Sequence, residues 1–193
     1  MESKVLFRTF IAIPVRIPQE LHNTLRYFQQ AFSAERIRWM DPSQMHITLR
    51  FIGDIPEEQV NAVKASFRES YDAFERIELQ LCGLGTFNHR SALKVLWAGI
   101  EGGDMLSALH LVTQRMLDEI EFLPDQHTFR PHLTLARIKR LREAGRFQQE
   151  VDRFRNREFG TCEVGEVVFY RSVLRSSGAV YEILEKVELG QQA

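Results

Sequence analysis

Stretches rich in β-branched and aromatic residues alternate along this chain with amphipathic helical stretches, in an order that nearly repeats itself. That order limits what the chain can fold into. The strand-like stretches run from Val5 to Val15, Gln44 to Gly53, Arg76 to Gly83, Leu93 to Ile100, His132 to Ile138, Glu163 to Leu174 and Val180 to Leu189. Pro18 to Ser33 brings Leu21, Leu25, Phe28 and Phe32 to one helical face, with Pro18 suited to the first turn. Pro56 to Ala73, Asp104 to Glu119 and Arg140 to Phe154 show the same periodicity. The resulting order, β-α-β-α-β-β-α-β-α-β-β, divides into two similar halves of two helices each. No Ser/Gly-rich linker separates them, and Gly102-Gly103 reads as a turn into a helix. The expected fold is a single α+β domain over residues 1–193, built as two lobes. Each lobe holds an antiparallel sheet with helices packed outside.

Each half also carries the tetrad His-x-Thr-Leu at a strand: His46-Ile47-Thr48-Leu49 in the first and His132-Leu133-Thr134-Leu135 in the second. Residues two apart in a strand share a face, so His46 projects with Thr48 and His132 with Thr134, while the alternate aliphatic residues anchor the core. A third copy, His22-Asn23-Thr24-Leu25, lies in a helical stretch. Positions two apart diverge there, so Leu25 joins the apolar stripe and the match is a coincidence of letters.

Two imidazoles on facing strands suit general acid–base catalysis on a small anion: one takes a proton from water and the other returns one to the departing oxygen. Histidine fits both tasks because its ordinary pKa is about 6.5. The threonine hydroxyls can donate to non-bridging phosphate oxygens. A metal site is poorly supported, because neither His-x-His nor His-Glu-x-x-His accompanies the tetrads. The alternative for either tetrad alone is a satisfied histidine beside a β-branched neighbour. From the residues alone, which histidine gives and which takes is open.

The residues that carry the tetrads resemble the 2H phosphoesterase superfamily and, within it, the RNA 2′,3′-cyclic phosphodiesterases, also called 2′-5′ RNA ligases. The resemblance begins at Arg8-Thr9-Phe10-Ile11-Ala12-Ile13, and takes in His46 to Gly53, Gly85-Thr86-Phe87, Val95 to Gly99 and Pro131 to Arg137. It closes on Ser172, Leu174, Gly178 and Tyr181. It implies a bilobal, pseudo-two-fold α+β fold with the cleft between the lobes. It also implies hydrolysis of an RNA 2′,3′-cyclic phosphate end to a 2′-phosphomonoester with no metal and no cofactor. Carried over, His46 is the proton donor, His132 the proton acceptor, and Thr48, Thr134 and Arg137 hold the phosphate. The ligation in the second name is reversible and uses the same chemistry, with a 5′-hydroxyl replacing water. Small nucleotides such as an ADP-ribose cyclic phosphate or a 2′-5′ oligoadenylate are an alternative substrate class. A non-catalytic nucleotide-binding module is a further alternative, disfavoured by two intact acid–base motifs.

The formal net charge of −1 argues against broad electrostatic attraction to nucleic acid. Residues 137–158 nevertheless hold eight basic against four acidic side chains, either a contact for an RNA backbone or a solvated helix face. Arg50 shares the alternation of His46 and Thr48, so it lines the cleft or serves the structure. Phe10, Trp39, Phe51 and Phe129 are candidates for stacking on a terminal base. His89, His110 and His127 stand outside any tetrad. Two cysteines, Cys82 and Cys162, are too few for a disulfide framework and fit a reducing compartment. The opening residues lack a signal-peptide pattern, and no apolar run approaches the ~20 residues of a bilayer span. The expected setting is a cytoplasmic monomer away from any membrane.

Overall fold

The computed structural model describes residues 5–90, 92–125, 128–176 and 178–190. In chain order the elements are β1 (Leu6–Pro14), α1 (Gln19–Ala31), β2 (Arg36–Trp39), a single 3₁₀ turn (Pro42–Gln44), β3 (His46–Pro56), α2 (Glu57–Tyr71), β4 (Ile77–His89) and β5 (Ala92–Glu101). They continue with α3 (Asp104–Glu119), β6 (Leu133–Arg140), α4 (Ala144–Arg153), β7 (Glu158–Val164), β8 (Glu166–Arg175) and β9 (Gly178–Glu188). The expected order is present, with two refinements. The stretch from Glu163 is the end of one strand and the whole of another, broken at Gly165. The Arg36–Trp39 strand is too short to register as a strand-length run. The last helix begins at Ala144 rather than Arg140, because β6 continues through Arg140.

The strands form two antiparallel sheets, ordered β3-β1-β8-β9 and β2-β6-β5-β4-β7. Without β2, the orders correspond strand for strand: β3 with β6, β1 with β5, and β8-β9 with β4-β7. The two tetrads therefore occupy equivalent strands, which is the α+β pseudo-two-fold arrangement expected. The lobes are not the sequence halves, however. Helix α1 follows β1 of the first sheet yet packs on β4's partner β7 in the second, while α3 follows β5 of the second and packs on β3 in the first. Helices α2 and α4 stay with the sheets that precede them. Each lobe thus takes one helix from each half.

Every helix turns its apolar stripe to a sheet: Leu21, Leu25 and Phe28 of α1, Val60, Val63 and Phe67 of α2, Leu106 and Leu109 of α3, and Phe147 and Val151 of α4 are buried. They meet Ile11, Ile13, Ile47, Leu79, Leu96, Leu133 and Leu135, all fully buried from the opposite side. Inside this core, Tyr71 of α2 shares a 2.7 Å hydrogen bond with the Thr113 hydroxyl of α3, which satisfies two polar groups at the α2–α3 seam. The sheet faces away from the helices line the cleft. The His22 copy lies on α1 as the helical reading requires: Thr24 turns inward and donates to the Glu20 carbonyl at 3.0 Å, and Leu25 is in the core.

Candidate active site

The tetrad strands β3 and β6 approach one another across the cleft. Both histidines make the same local bond. His46 Nδ1 donates to the Gln44 carbonyl at 2.8 Å, and His132 Nδ1 donates to the Arg130 carbonyl at 2.7 Å. A carbonyl can only accept, so each Nδ1 carries the hydrogen and each Nε2 is left for the cleft. Opposite Thr48 on β1 stands Ala12, and opposite Thr134 on β5 stands Trp97. Among the described residues neither threonine hydroxyl has a protein hydrogen-bond partner, so both can donate to an anion.

Strict alternation puts Arg50 on the face of His46 and Arg137 on the face away from His132. The structure reverses both positions by one device used twice. On β3 the register passes from Ala12↔Thr48 to Ile11↔Arg50, leaving Leu49 as an extra residue. On β6 it passes from Trp97↔Thr134 to Leu96↔Ala136, leaving Leu135 extra. Each β-bulge inverts the facing of everything beyond it. Arg50 therefore takes the face of Ile11 and is 8% exposed. Its guanidinium donates to the Leu123 carbonyl at 2.6 Å and lies 3.0 Å from the Asp125 carboxylate, a structural role, while the residue also borders the larger cavity beside Thr48. Arg137 emerges on the cleft face beside His46 and Thr48. The Leu49 carbonyl is met by His110 Nδ1 of α3 at 2.8 Å, and the His110 ring stacks on Phe129 at 4.2 Å. His110 is thus a brace for the bulge.

Two cavities adjoin here, with Thr48 and Phe51 bordering both. One, of about 320 Å³, holds His46 and Arg137 together with Arg8, Arg38, Ser172 and Tyr181. The other, of about 810 Å³, holds His132 with Phe87, Phe129, His110 and Arg130. Thr134 borders neither and stands opposite Trp97. His46 is enclosed by Phe10 and Tyr181, each 5.0 Å from its ring, with Tyr170 at 6.4 Å. His132 has the edge of Phe87 at 4.8 Å.

Burial pushes both imidazoles below the usual histidine pKa of about 6.5. The backbone carbonyl bonds oppose this, while the positive charge of Arg137 lowers both, and that of His132 lowers His46 further. Arg137 therefore acts electrostatically on both histidines.

Other expectations are redistributed. The basic helix α4 and its exit pair with acids: Arg146 with Glu143, Arg153 with Glu150, Arg155 with Asp152 and Arg157 with Glu20. The helix packs on β4, outside the cleft, so the stretch reads as a solvated, charge-paired face. Trp39 packs against the core, Phe10 is buried behind His46, and Phe51 and Phe129 border the cleft. His89 is exposed at the β4–β5 turn, and His127 lies outside the described residues. The Cys82 and Cys162 thiols are each pushed up to about 11 by burial. Arg38, Phe87, Ser172 and Tyr181 went unassigned as site residues. The trace of Arg38 in the sequence is the alternation of Arg36-Ile37-Arg38-Trp39, which covers too few residues to mark a strand.

Among the described residues, no three His, Cys, Asp or Glu side chains converge as a metal site, and no helix is long and apolar enough to cross a membrane. The family model described as LigT like Phosphoesterase matches residues 11–97 and 104–181. A protein of Methanocaldococcus jannaschii, described as an RNA 2′,3′-cyclic phosphodiesterase, is 24% identical over 180 residues, covering 93% of this chain and 99% of the relative. One of Aeropyrum pernix with the same description is 32% identical over 153 residues, covering 79% and 86%. The crystal structure of a Thermus thermophilus protein superposes with a TM-score of 0.77 at 26% identity, covering 96% of this chain and all of that one.

Proposed function

Because the chain belongs to the LigT-like phosphoesterases, a 2H phosphoesterase family, and is a phosphodiesterase, we propose that it hydrolyses RNA 2′,3′-cyclic phosphate ends to 2′-phosphomonoesters. The observation that carries this reading is the twofold histidine arrangement. The two histidines line adjoining cavities, each fixed in tautomer by a carbonyl two residues upstream that leaves its Nε2 without the ring hydrogen, and the charge of Arg137 lowers both.

In the proposed reaction His132 Nε2 accepts a proton from water as the water oxygen bonds to phosphorus. The bond from phosphorus to the 3′ oxygen breaks in line, and His46 Nε2–H delivers a proton to that oxygen. The phosphate stays on the 2′ oxygen, and the two histidines end with their protonation states exchanged. Thr48 and Thr134 donate to non-bridging oxygens, and Arg137 offsets the charge that builds on them. These residues perform every proton transfer without a metal or cofactor. A 5′-hydroxyl attacking in place of water, with the same two proton transfers, gives 2′-5′ ligation. Small cyclic nucleotides are the second substrate class; the two adjoining cavities, about 320 and 810 Å³, together have room beyond a mononucleotide and favour RNA. The proposed setting is a cytoplasmic monomer.

The test incubates purified protein, in EDTA, with an RNA ending in 2′,3′-cyclic phosphate and identifies the product. A 2′-phosphate formed by the wild type and abolished in both His46→Ala and His132→Ala supports the reading. No turnover by the wild type, or full activity in either variant, overturns it.

A further inference from the structure

The cavity beside His46 contains more positive charge than one cyclic phosphate requires. Arg38 of β2 stands directly opposite Arg137 of β6, with both guanidiniums lining this cavity. Like charges at directly opposed positions destabilise a strand pair. Among the described residues, neither arginine has a carboxylate or carbonyl partner. Arg8 completes the lining from β1, its guanidinium 5.2 Å from the centre of the Phe51 ring. Among the described residues no Asp or Glu lines this cavity, which adds the hydroxyl-bearing side chains Ser172 and Tyr181.

Arg38 also spans the two sheets. Its strand belongs to the second sheet, yet its guanidinium reaches across to Gly178 at the start of β9 in the first. A β-carbon there would fall on the guanidinium and push it aside, and the φ of +133° suits glycine as well. The first phosphate already has two imidazoles, two threonines and Arg137, while a cyclic phosphodiester carries one negative charge. Two further cations, facing a cavity that no described Asp or Glu lines, call for a second anion. In an RNA 3′ end the nearest is the phosphate on the 5′ side of the terminal nucleoside.

We infer that Arg38, with Arg8 at the rim, binds that 5′-side phosphate and so makes the site selective for phosphate-bearing ends over a bare nucleoside 2′,3′-cyclic phosphate. The inference rests on the cyclic-phosphate reading above. The same chemistry is offered by the phosphodiester of an RNA chain and by a terminal 5′-phosphate.

The test compares adenosine 2′,3′-cyclic phosphate, its 5′-phosphorylated form, and a diadenosine ending in the same cyclic phosphate. For the wild type, kcat/KM is expected to be about tenfold or more higher on one or both phosphate-bearing substrates. Preference for the dinucleotide alone identifies the diester as the ligand, and preference for the 5′-phosphorylated mononucleotide alone identifies the monoester. In Arg38→Gln the ratio collapses towards one, mainly through KM, and Arg38→Lys retains part of it. No preference in the wild type, or an equal loss on all three substrates in Arg38→Gln, overturns the inference. Calorimetry with adenosine 3′-monophosphate and adenosine 3′,5′-bisphosphate separates the two readings. Tighter wild-type binding of the bisphosphate, lost in Arg38→Gln, upholds the subsite even if no cyclic substrate is turned over. Equal wild-type binding of the two overturns the subsite and leaves the hydrolytic reading standing.

Discussion

Arg137 takes on β6 the place that Phe51 holds on β3. Each follows its tetrad threonine by three residues, each emerges from a bulge onto the cleft face, and they stand opposite the corresponding residues Val95 and Phe10. The motifs share His-x-Thr-Leu and its bulge, then diverge into a cation on one side and an aromatic ring on the other. Two proton transfers of opposite sense need such a difference. It is reinforced around the rings, where His46 has Phe10, Tyr170 and Tyr181 for neighbours and His132 has Phe87.

The bulges separate the two nearby arginines into different kinds of experiment. Arg137→Ala is expected to lower kcat/KM by about 10²- to 10³-fold, as removal of a charge-stabilising donor does. The Tm should hold or rise slightly, since a like-charge pair with Arg38 is relieved. Arg50→Ala is expected to cost about 1–3 kcal/mol of stability, by leaving the Leu123 carbonyl and Asp125 without their buried partner. Thermal denaturation and kinetics on both variants check this; a destabilised Arg137→Ala with normal kcat/KM would contradict the assignment.

These two arginines also show how far the sequence could be read. Period-two alternation places His46 with Thr48 and His132 with Thr134, and helical periodicity removes His22, because those rules hold within one uninterrupted element. A bulge is an extra residue recognised only against a partner strand, and Leu49 looks like any other leucine in a strand. Alternation therefore turned Arg50 toward the cleft, and Arg137 was found through family resemblance rather than geometry. The crossing of α1 and α3 between lobes is likewise invisible locally, since each helix is amphipathic whichever sheet it covers. Arg38 lay in a strand of four residues, too short for periodicity to stand out.

Gly85 supports the floor of the site. It pairs with Trp97 across β4 and β5, and a β-carbon on it would fall 2.2 to 2.7 Å from three atoms of the indole. Gly85→Ala must therefore displace a ring that stands opposite Thr134 and 5.4 Å from Phe87. A loss of about 1–3 kcal/mol is expected from overpacking, together with reduced activity. Combining it with Trp97→Phe should recover part of both losses; additive losses in the double-mutant cycle would show that the indole is not the obstacle.

Charge on α4 should matter little. Arg146 and Arg153 are exposed and paired with Glu143 at the helix N-cap and Glu150 on the helix. Such pairs contribute about 0–1 kcal/mol at most. Replacing both arginines with Gln is expected to change kcat/KM on a long RNA less than about twofold and to leave its salt dependence unaltered, as a surface making no phosphate contact does. A clear loss on long RNA with none on a cyclic mononucleotide would restore this helix as part of the RNA path.

Protons should report the electrostatics of the pair. Both imidazoles titrate below 6.5 in the folded chain, first through burial and then through Arg137. The reactive form has one imidazole neutral and one charged, so kcat/KM should be bell-shaped with both limbs on the acid side of neutrality. Arg137→Ala removes a positive charge that disfavours both imidazolium forms, so the limbs that survive should move to higher pH. Folding feels the same shift. A histidine with its folded pKa below the unfolded value binds fewer protons in the native state. Its contribution to stability is complete above about 6.5 and is lost as the pH falls through the folded pKa. The wild-type Tm should therefore drop between about pH 7 and 5 more steeply than that of a His46→Gln/His132→Gln double variant. Parallel Tm curves would show that the pair does not titrate in the depressed range, and a bell centred above neutrality would say the same of the free enzyme in turnover.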